Sequence, residues 1–235
     1  MDGTVLELEN LSAWYEAGKD VLAGLSLRLE RHEVVGLIGL NGAGKTTLLK
    51  TLSGLHEGFR FDSLRLDGRP AAFRDKRFKL CRYTVFEEDR SFQYFTFSEY
   101  LSYVAAAYKI LLPDVSNLVR SFHFEAYTGT LLKDLSTGNR KKAFLITAFA
   151  LRPELLLLDE PVNGLDFQST EFLYQLIAGY REHGTLLFSS HILESITLTS
   201  DRVLVLEDGK IQKCFAGDQI NAVNIREALH DENVL

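Results

Sequence analysis

Apolar and polar positions alternate at the start of the chain. "TVLELENL" opens with a period of two, and "LSLRLE" (25–30) repeats it with Leu25, Leu27 and Leu29 on one face. That period belongs to half-buried strands. At 34–39 the pattern changes to the continuous apolar run "VVGLIG", which suits a strand buried on both faces of a parallel sheet. A helix is expected from about Gly44 to Leu55, and "SLRLDG" reads as another strand closed by an Asp-Gly turn. From about Asp89 to Ala150 the chain becomes aromatic and helical. "FSEYLSYVAAAY" is its clearest amphipathic piece, with Ser98 as candidate cap and Pro113 as a break. Strands return at "LLLLDE" (155–160), "TLLFSS" (185–190) and "RVLVLEDGK", spaced by helices near 168–179 and 193–198. Strand and helix therefore alternate, predicting an α/β core interrupted by a mostly helical insertion.

Composition narrows the function classes. Hydrophobic residues make up 46% and charged ones 25% of 235 residues, which is ordinary for a globular chain. The net charge of −6 argues against a general nucleic-acid binder, so no nucleic-acid partner is expected. Arg140, Lys141 and Lys142 form a local basic patch that reads as a solvated helix face. Cys81 and Cys214 lie in no Cys-x-x-Cys pattern and read as reduced thiols of a cytosolic protein. The start "MDGTVLELEN" lacks the basic and apolar regions of a signal peptide. No apolar run approaches the ~20 residues that span a bilayer. A soluble protein is expected, one that could still dock onto a membrane protein.

"GLNGAGKTT" (39–47) matches the phosphate-loop pattern between a predicted strand and a predicted helix. Gly39, Gly42 and Gly44 let the backbone curl so that successive N–H groups, those of Asn41 and Ala43 included, face phosphate oxygens. Lys45 brings positive charge to the β- and γ-phosphates, Thr46 a hydroxyl for Mg²⁺, and Thr47 a further hydrogen bond. Such a loop calls for an acidic residue at the end of a second buried strand. "LLLLDEP" supplies Asp159 for the metal and Glu160 to polarise the attacking water. A second anion site is suggested by "KDLSTGNRKKAF" (133–144), where Ser136 and Gly138 stand at a helix start.

With these motifs in this order the chain resembles the ATP-binding cassette (ABC) ATPases, the nucleotide-binding subunits of ABC transporters, over nearly its full length. "GLNGAGKTT" is similar to Walker A, "LLLLDE" to Walker B with the catalytic glutamate, and "LSTGN" (135–139) stands at the signature position. "NGLD" (163–166) resembles the D-loop with Asp166, His191 in "SSHIL" the switch histidine, and Tyr15 the aromatic that stacks on adenine, with Trp14 as its neighbouring candidate. The resemblance implies a P-loop NTPase fold: a RecA-like core, an antiparallel β subdomain and an inserted α-helical subdomain. It places the core at about 1–88 and 151–217, the helical subdomain at 89–150 and a short polar tail at 218–235. It also implies a head-to-tail pair of cassettes, each ATP clamped between one Walker A and the partner's Ser136 and Gly138.

The chain departs from the family pattern at three places. Thr137 and Asn139 replace a glycine and the glutamine of the signature, while Glu87 occupies the usual glutamine position of the Q-loop, where it could still reach Mg²⁺ or water. Gln93 is the alternative, and His32 replaces a turn glycine. The expected function is an ATP-hydrolysing subunit on the cytoplasmic face of the membrane. It would power a separate membrane-spanning subunit through a groove formed by "SFQYFTFSEYL", with export of a peptide, bacteriocin or drug favoured over import by Glu87 and the compact length. A soluble ABC ATPase of DNA repair or translation, or a weakly active regulatory cassette in a heterodimer, is the alternative.

Overall fold

The computed structural model describes residues 3–229. The chain starts with the long antiparallel pair β1 (Thr4–Glu16) and β2 (Lys19–Glu30), followed by β3 (Val34–Ile38) and α1 (Lys45–Leu52). Short strands β4 (Phe59–Arg60), β5 (Ser63–Leu66) and β6 (Arg69–Pro70) come next, then α2 (Lys76–Cys81) and β7 (Arg82–Val85). Three helices follow: α3 (Phe97–Tyr108), α4 (Ser116–Ser121) and α5 (Thr137–Leu151). The remainder alternates: β8 (Leu155–Leu158), α6 (Phe167–Gly179), β9 (Thr185–Ser190), α7 (Leu193–Thr199), β10 (Arg202–Glu207), β11 (Lys210–Ala216) and α8 (Ala222–Ala228).

The strands form two sheets. The central one has the order β11-β10-β3-β9-β8-β7, parallel except for the antiparallel edge pair β10 and β11. The other is antiparallel, β2-β1-β5-β6 with β4 beside β1. Side-chain alternation explains why β8 is apolar throughout. Leu155 and Leu157 enter the core shared with the antiparallel sheet, whereas Leu156 and Leu158 enter the core under the helices. A strand covered on both faces has no polar face to show. Leu25, Leu27 and Leu29 are buried together, as their period predicts, and join the first of these cores. The fold is that of the P-loop ATPases, with the helices α3 to α5 inserted between β7 and β8.

Because β3, β9 and β8 are parallel neighbours, their C-terminal ends lie side by side. The residues that follow them, from Gly39, His191 and Asp159, are delivered to one edge of the sheet, where α/β folds bind ligands.

Several elements differ from the sequence expectation. Helix α1 starts one residue later and ends three earlier, because Gly44 takes a left-handed φ of 108° and Gly54 turns the chain after Ser53. The cap of α3 is Thr96 rather than Ser98. Thr96 Oγ1 accepts from the Glu99 N–H and the Glu99 carboxylate from the Thr96 N–H, a complete capping box, while the Ser98 hydroxyl donates to the Thr128 carbonyl. Helix α2, β7 and the edge strand β11 carry no long apolar period, which hid them. The stretch read as the start of a polar tail carries α8, which buries Ile225 and Ala228; residues 230–235 lie outside the described residues.

Removing the cap should cost about 1 kcal/mol. Thr96→Ala is therefore expected to lower the urea midpoint by that free energy, and Ser98→Ala by less than half of it. Equal effects would return the cap to Ser98.

Candidate active site

The loop after β3 and the first turn of α1 form the floor of a cleft of about 350 Å³, lined by Tyr15, Val21, Leu40, Asn41, Gly42, Ala43, Gly44, Lys45, Thr46, Thr47, Glu87 and Glu160. Gly44 is required twice over: its φ is left-handed, and an added Cβ would stand 2.6 Å from Leu22 Cδ2. The Lys45 ammonium is buried, donates to the Gly39 carbonyl at 2.7 Å and stands 3.6 Å from Glu160 Oε1. The Thr47 hydroxyl donates to Tyr15 Oη at 3.4 Å, which holds the phenol over the loop. The Tyr15 ring is 62% exposed and meets His56 edge-on. Trp14 lies instead against the Arg60 guanidinium, outside the cleft lining.

Asp159 and Glu160 close the opposite wall. Asp159 Oδ1 accepts from the Ser189 hydroxyl at 2.7 Å and from the Thr46 hydroxyl at 3.1 Å. Burial raises the pKa of this carboxyl, the two hydroxyl donors oppose the rise, and Glu160 and Glu87 add to it. Glu160 has a left-handed φ of 44°, an uncommon conformation for a side chain of its length, and its N–H donates to Ser189 Oγ at 2.9 Å. Its Oε2 lies 2.8 Å from His191 Nδ1 and accepts the His191 N–H at 3.3 Å. Glu160 thus sits between a lysine and a half-exposed histidine, its carboxylate aimed into the cleft.

The donor set around Asp159 fits a hard divalent cation. The Thr46 hydroxyl and the Asp159 carboxylate offer oxygen only, and among the described residues the buried carboxylate has hydroxyl partners but no ion pair. Among the described residues no group of three or more acidic, histidine or cysteine side chains could hold a metal alone. Phosphate oxygens and water would have to complete the shell, as is usual for Mg²⁺. Glu87 is exposed and accepts from Asn163 Nδ2 at 2.7 Å. It lines the cleft within reach of this group without touching Asp159. Gln93 lines none of the clefts around the loop.

Ser136, Gly138 and Asp166 are not brought into this cleft. Ser136 is exposed and caps α5, accepting the Asn139 N–H at 3.2 Å. Gly138 presses on the loop after β8, where an added Cβ would stand 2.4 Å from the Gly164 carbonyl. Its lack of a side chain therefore has a reason within the chain. Asp166 caps α6 through the Ser169 N–H and accepts from Lys142 Nζ at 2.6 Å, which holds its carboxyl far below the usual carboxylate range.

The basic patch is the clearest correction. Arg140 is partly exposed, but Lys141 and Lys142 are 4% and 5% exposed, so they are no solvated face. Lys141 Nζ donates to the Glu160 carbonyl at 2.9 Å, and Lys142 Nζ to the Phe122 carbonyl at 2.9 Å as well as to Asp166. Burial lowers the Lys141 pKa, against the pull of Glu87, Asp159 and Glu160. The signal lay further along the helix. From Ala143 to Phe149 every residue of α5 is buried, and a helix covered all round leaves its neighbours no solvent face. Ser189 and Asn163 were also missed, because a serine in a strand and an asparagine in a turn carry no pattern of their own.

The sequence profile of the ABC transporter family matches residues 22–163, more than half of the chain. The chain belongs to this family, as an ATP-binding and ATP-hydrolysing subunit. It is 37% identical to the ABC transporter ATP-binding protein AlbC of Bacillus subtilis, over 89% of this chain and 91% of that one. To SkfE of the same organism, an ATP-binding protein of SkfA peptide export, it is 31% identical over 89% and 88%. To the spermidine/putrescine import protein PotA of Mesoplasma florum it is 29% identical over 91% and 62%. A solved ATP-binding subunit of an ABC transporter superposes with a TM-score of 0.82 at 27% identity, over 98% and 95%.

A buried acid with a raised pKa subtracts stability once ionised. The folded protein holds the proton above the pH at which the unfolded chain releases it, so the deficit is absent below about pH 4 and grows as the pH rises through the folded value. Asp159→Asn keeps an oxygen for both hydroxyls. Without nucleotide it is expected to raise Tm at pH 8, by a margin that narrows towards pH 4. A lower Tm at pH 8 would show that the charge is compensated.

Proposed function

We propose that the chain works as half of an ATP-driven dimer that powers a separate membrane-spanning subunit. One observation carries this reading. The cleft built by a single chain contains the phosphate loop, Glu160 and Glu87, while Ser136 lies exposed at the head of α5, outside that cleft. Two chains facing head to tail would bring Ser136 and the N-terminus of α5 to the γ-phosphate held by the other chain. Asp166 would then stand beside the seam, orienting it through α6 and Lys142 rather than binding nucleotide alone.

Within one site the roles follow from position. Main-chain N–H groups from Asn41 to Thr47 and the Lys45 ammonium bind the β- and γ-phosphates, and Tyr15 stacks on the base. Thr46 and Asp159 hold Mg²⁺, which when bound neutralises phosphate charge and fixes its orientation. Glu160 polarises the attacking water, and His191 keeps its carboxylate aligned and reaches the γ-phosphate. Losing that phosphate removes contacts across the seam, so the dimer reopens. The contact of Glu160 with His191 supports an active cassette over a regulatory one.

A second cleft, about 610 Å³, runs from Thr46 and Asp159 past Glu87 to Phe92 and Tyr100. Tyr94, on the same aromatic segment, is 76% exposed and Phe97 is buried, so these rings are divided between core and surface. We assign this cleft to a cytoplasmic segment of the membrane subunit, which there would touch the groups around the γ-phosphate. We place the chain on the inner face of the membrane, held there by that subunit; among the described residues no helix is long and apolar enough to cross a membrane. The likeness to SkfE supports export of a peptide, and the likeness to PotA makes import the second reading. The segments 1–88 with 151–217, and 89–150, are the two moving parts this scheme assigns. A DNA-repair role would call for a long coiled coil in the insertion, whose helices α3, α4 and α5 have 12, 6 and 15 residues, and a translation role for a second cassette, whereas the sequence carries one Walker A.

Glu160→Gln should lower turnover about a hundredfold or more and leave an ATP-bound dimer detectable by light scattering. Unchanged hydrolysis would remove Glu160 from its role. Ser136→Ala should spare ATP binding to the single chain, measured by fluorescent nucleotide titration, and weaken dimer formation in the Glu160→Gln background. Loss of binding itself would place Ser136 in its own chain's site. Gly138→Asp is unsuited to this test, because its side chain would strike Gly164.

A further inference from the structure

A lysine beneath the reaction centre is not required by the chemistry described above. Lys141 lies in the second turn of α5, almost wholly buried, with its ammonium on the main-chain carbonyl of Glu160. A buried ammonium loses several kcal/mol of hydration unless its surroundings replace it, and a neutral side chain of the same length would fill this space without that loss. What the charge grips is informative. The Glu160 carbonyl belongs to a residue in the left-handed region, and it also accepts the Asn163 N–H at 3.3 Å. The Asn163 side chain in turn holds Glu87. One turn of α5 therefore anchors the peptide that decides where the Glu160 carboxylate points.

The neighbouring contacts make the anchor part of a larger clamp. Gly138 abuts the Gly164 carbonyl and Lys142 binds the Asp166 carboxylate, so the start of α5 touches the 160–166 loop at its beginning, middle and end. A left-handed φ at a long side chain persists only when its surroundings hold it. On one side that hold comes from Ser189 on the Glu160 N–H, and on the other from Lys141 on the Glu160 carbonyl.

We propose that Lys141 is a positioning residue for ATP hydrolysis: its ammonium fixes the Glu160 peptide, and thereby the carboxylate, and ties that geometry to the helix that starts at Ser136. Through this link, movement of α5 at the partner's nucleotide reaches the carboxylate of its own chain. The inference rests on the reading of Glu160 as the group that polarises water, and the two can fail separately.

The test uses the full chain and ATP, with turnover, ATP affinity and Tm measured for Lys141→Met, Lys141→Arg and Glu160→Gln. A misplaced reacting group costs up to about a hundredfold, so Lys141→Met is expected to lower kcat by about tenfold to a hundredfold with KM changed less than about threefold. Lys141→Arg, which keeps a charged donor, should recover most of the rate. Adding Lys141→Met to Glu160→Gln should reduce the residual rate little further, because the position of a disabled carboxylate no longer matters. The proposal is overturned if Lys141→Met leaves kcat unchanged. It is also overturned if kcat falls equally in the Glu160→Gln background, or if KM and Tm fall with it and Lys141→Arg restores nothing; each of these marks a structural lysine. Full turnover in Glu160→Gln alone would instead overturn the reading of Glu160.

Discussion

Two carboxylates at the buried end of one strand are the constraint around which this molecule is organised. Asp159 and Glu160 follow β8, the strand between β7 and β9, where water cannot share their charge. Every neighbouring element contributes something that makes them tolerable. The first turn of α1 offers Lys45 and Thr46, β9 offers Ser189 with His191 just past its end, and α5 reaches in with Lys141. Asp159 remains the least compensated: its hydrogen-bond partners are hydroxyls, among the described residues it has no ion pair, and the Lys141 ammonium acts on it only through space. That imbalance is functional in kind. A site that balanced its own charge would gain little from a metal-bound triphosphate, whereas this one gains both a cation and phosphates for its lysine.

The same constraint links the two halves of the chain. Helix α5 belongs to the inserted helices, yet its first turns are fixed to the 160–166 loop of the parallel core by Gly138, Lys141 and Lys142. Packing this close leaves few ways for the helix to shift without moving the loop. The head of α5 is also where Ser136 stands exposed. In the proposed dimer, a nucleotide on one chain and the carboxylate of the other would thus be linked through the first two turns of α5.

Much of this was legible in the sequence, and the reasons for the gaps are physical. Strands buried on both faces announce themselves by unbroken apolar runs, so β3, β8 and β9 stood out, and with them the positions of Lys45, Asp159, Glu160 and His191. The phosphate loop is legible because its glycines are demanded by backbone geometry. Edge strand β11 was invisible, since one covered face in seven residues leaves no pattern. Lys141 and Lys142 were misread because charge is a poor guide to exposure when a helix is enclosed. Gly138 was read as close approach to nucleotide, while the carbonyl of Gly164 supplies a nearer cause within the chain.

The central claim is that a single chain holds only part of an ATP site. It is tested most directly by the ATPase rate per chain as the protein is diluted about a hundredfold at saturating ATP and Mg²⁺. Mass action on a shared site predicts a rate per chain that falls with dilution, in step with loss of the dimer seen by light scattering. A rate per chain that stays constant while the protein is monomeric would contradict the account.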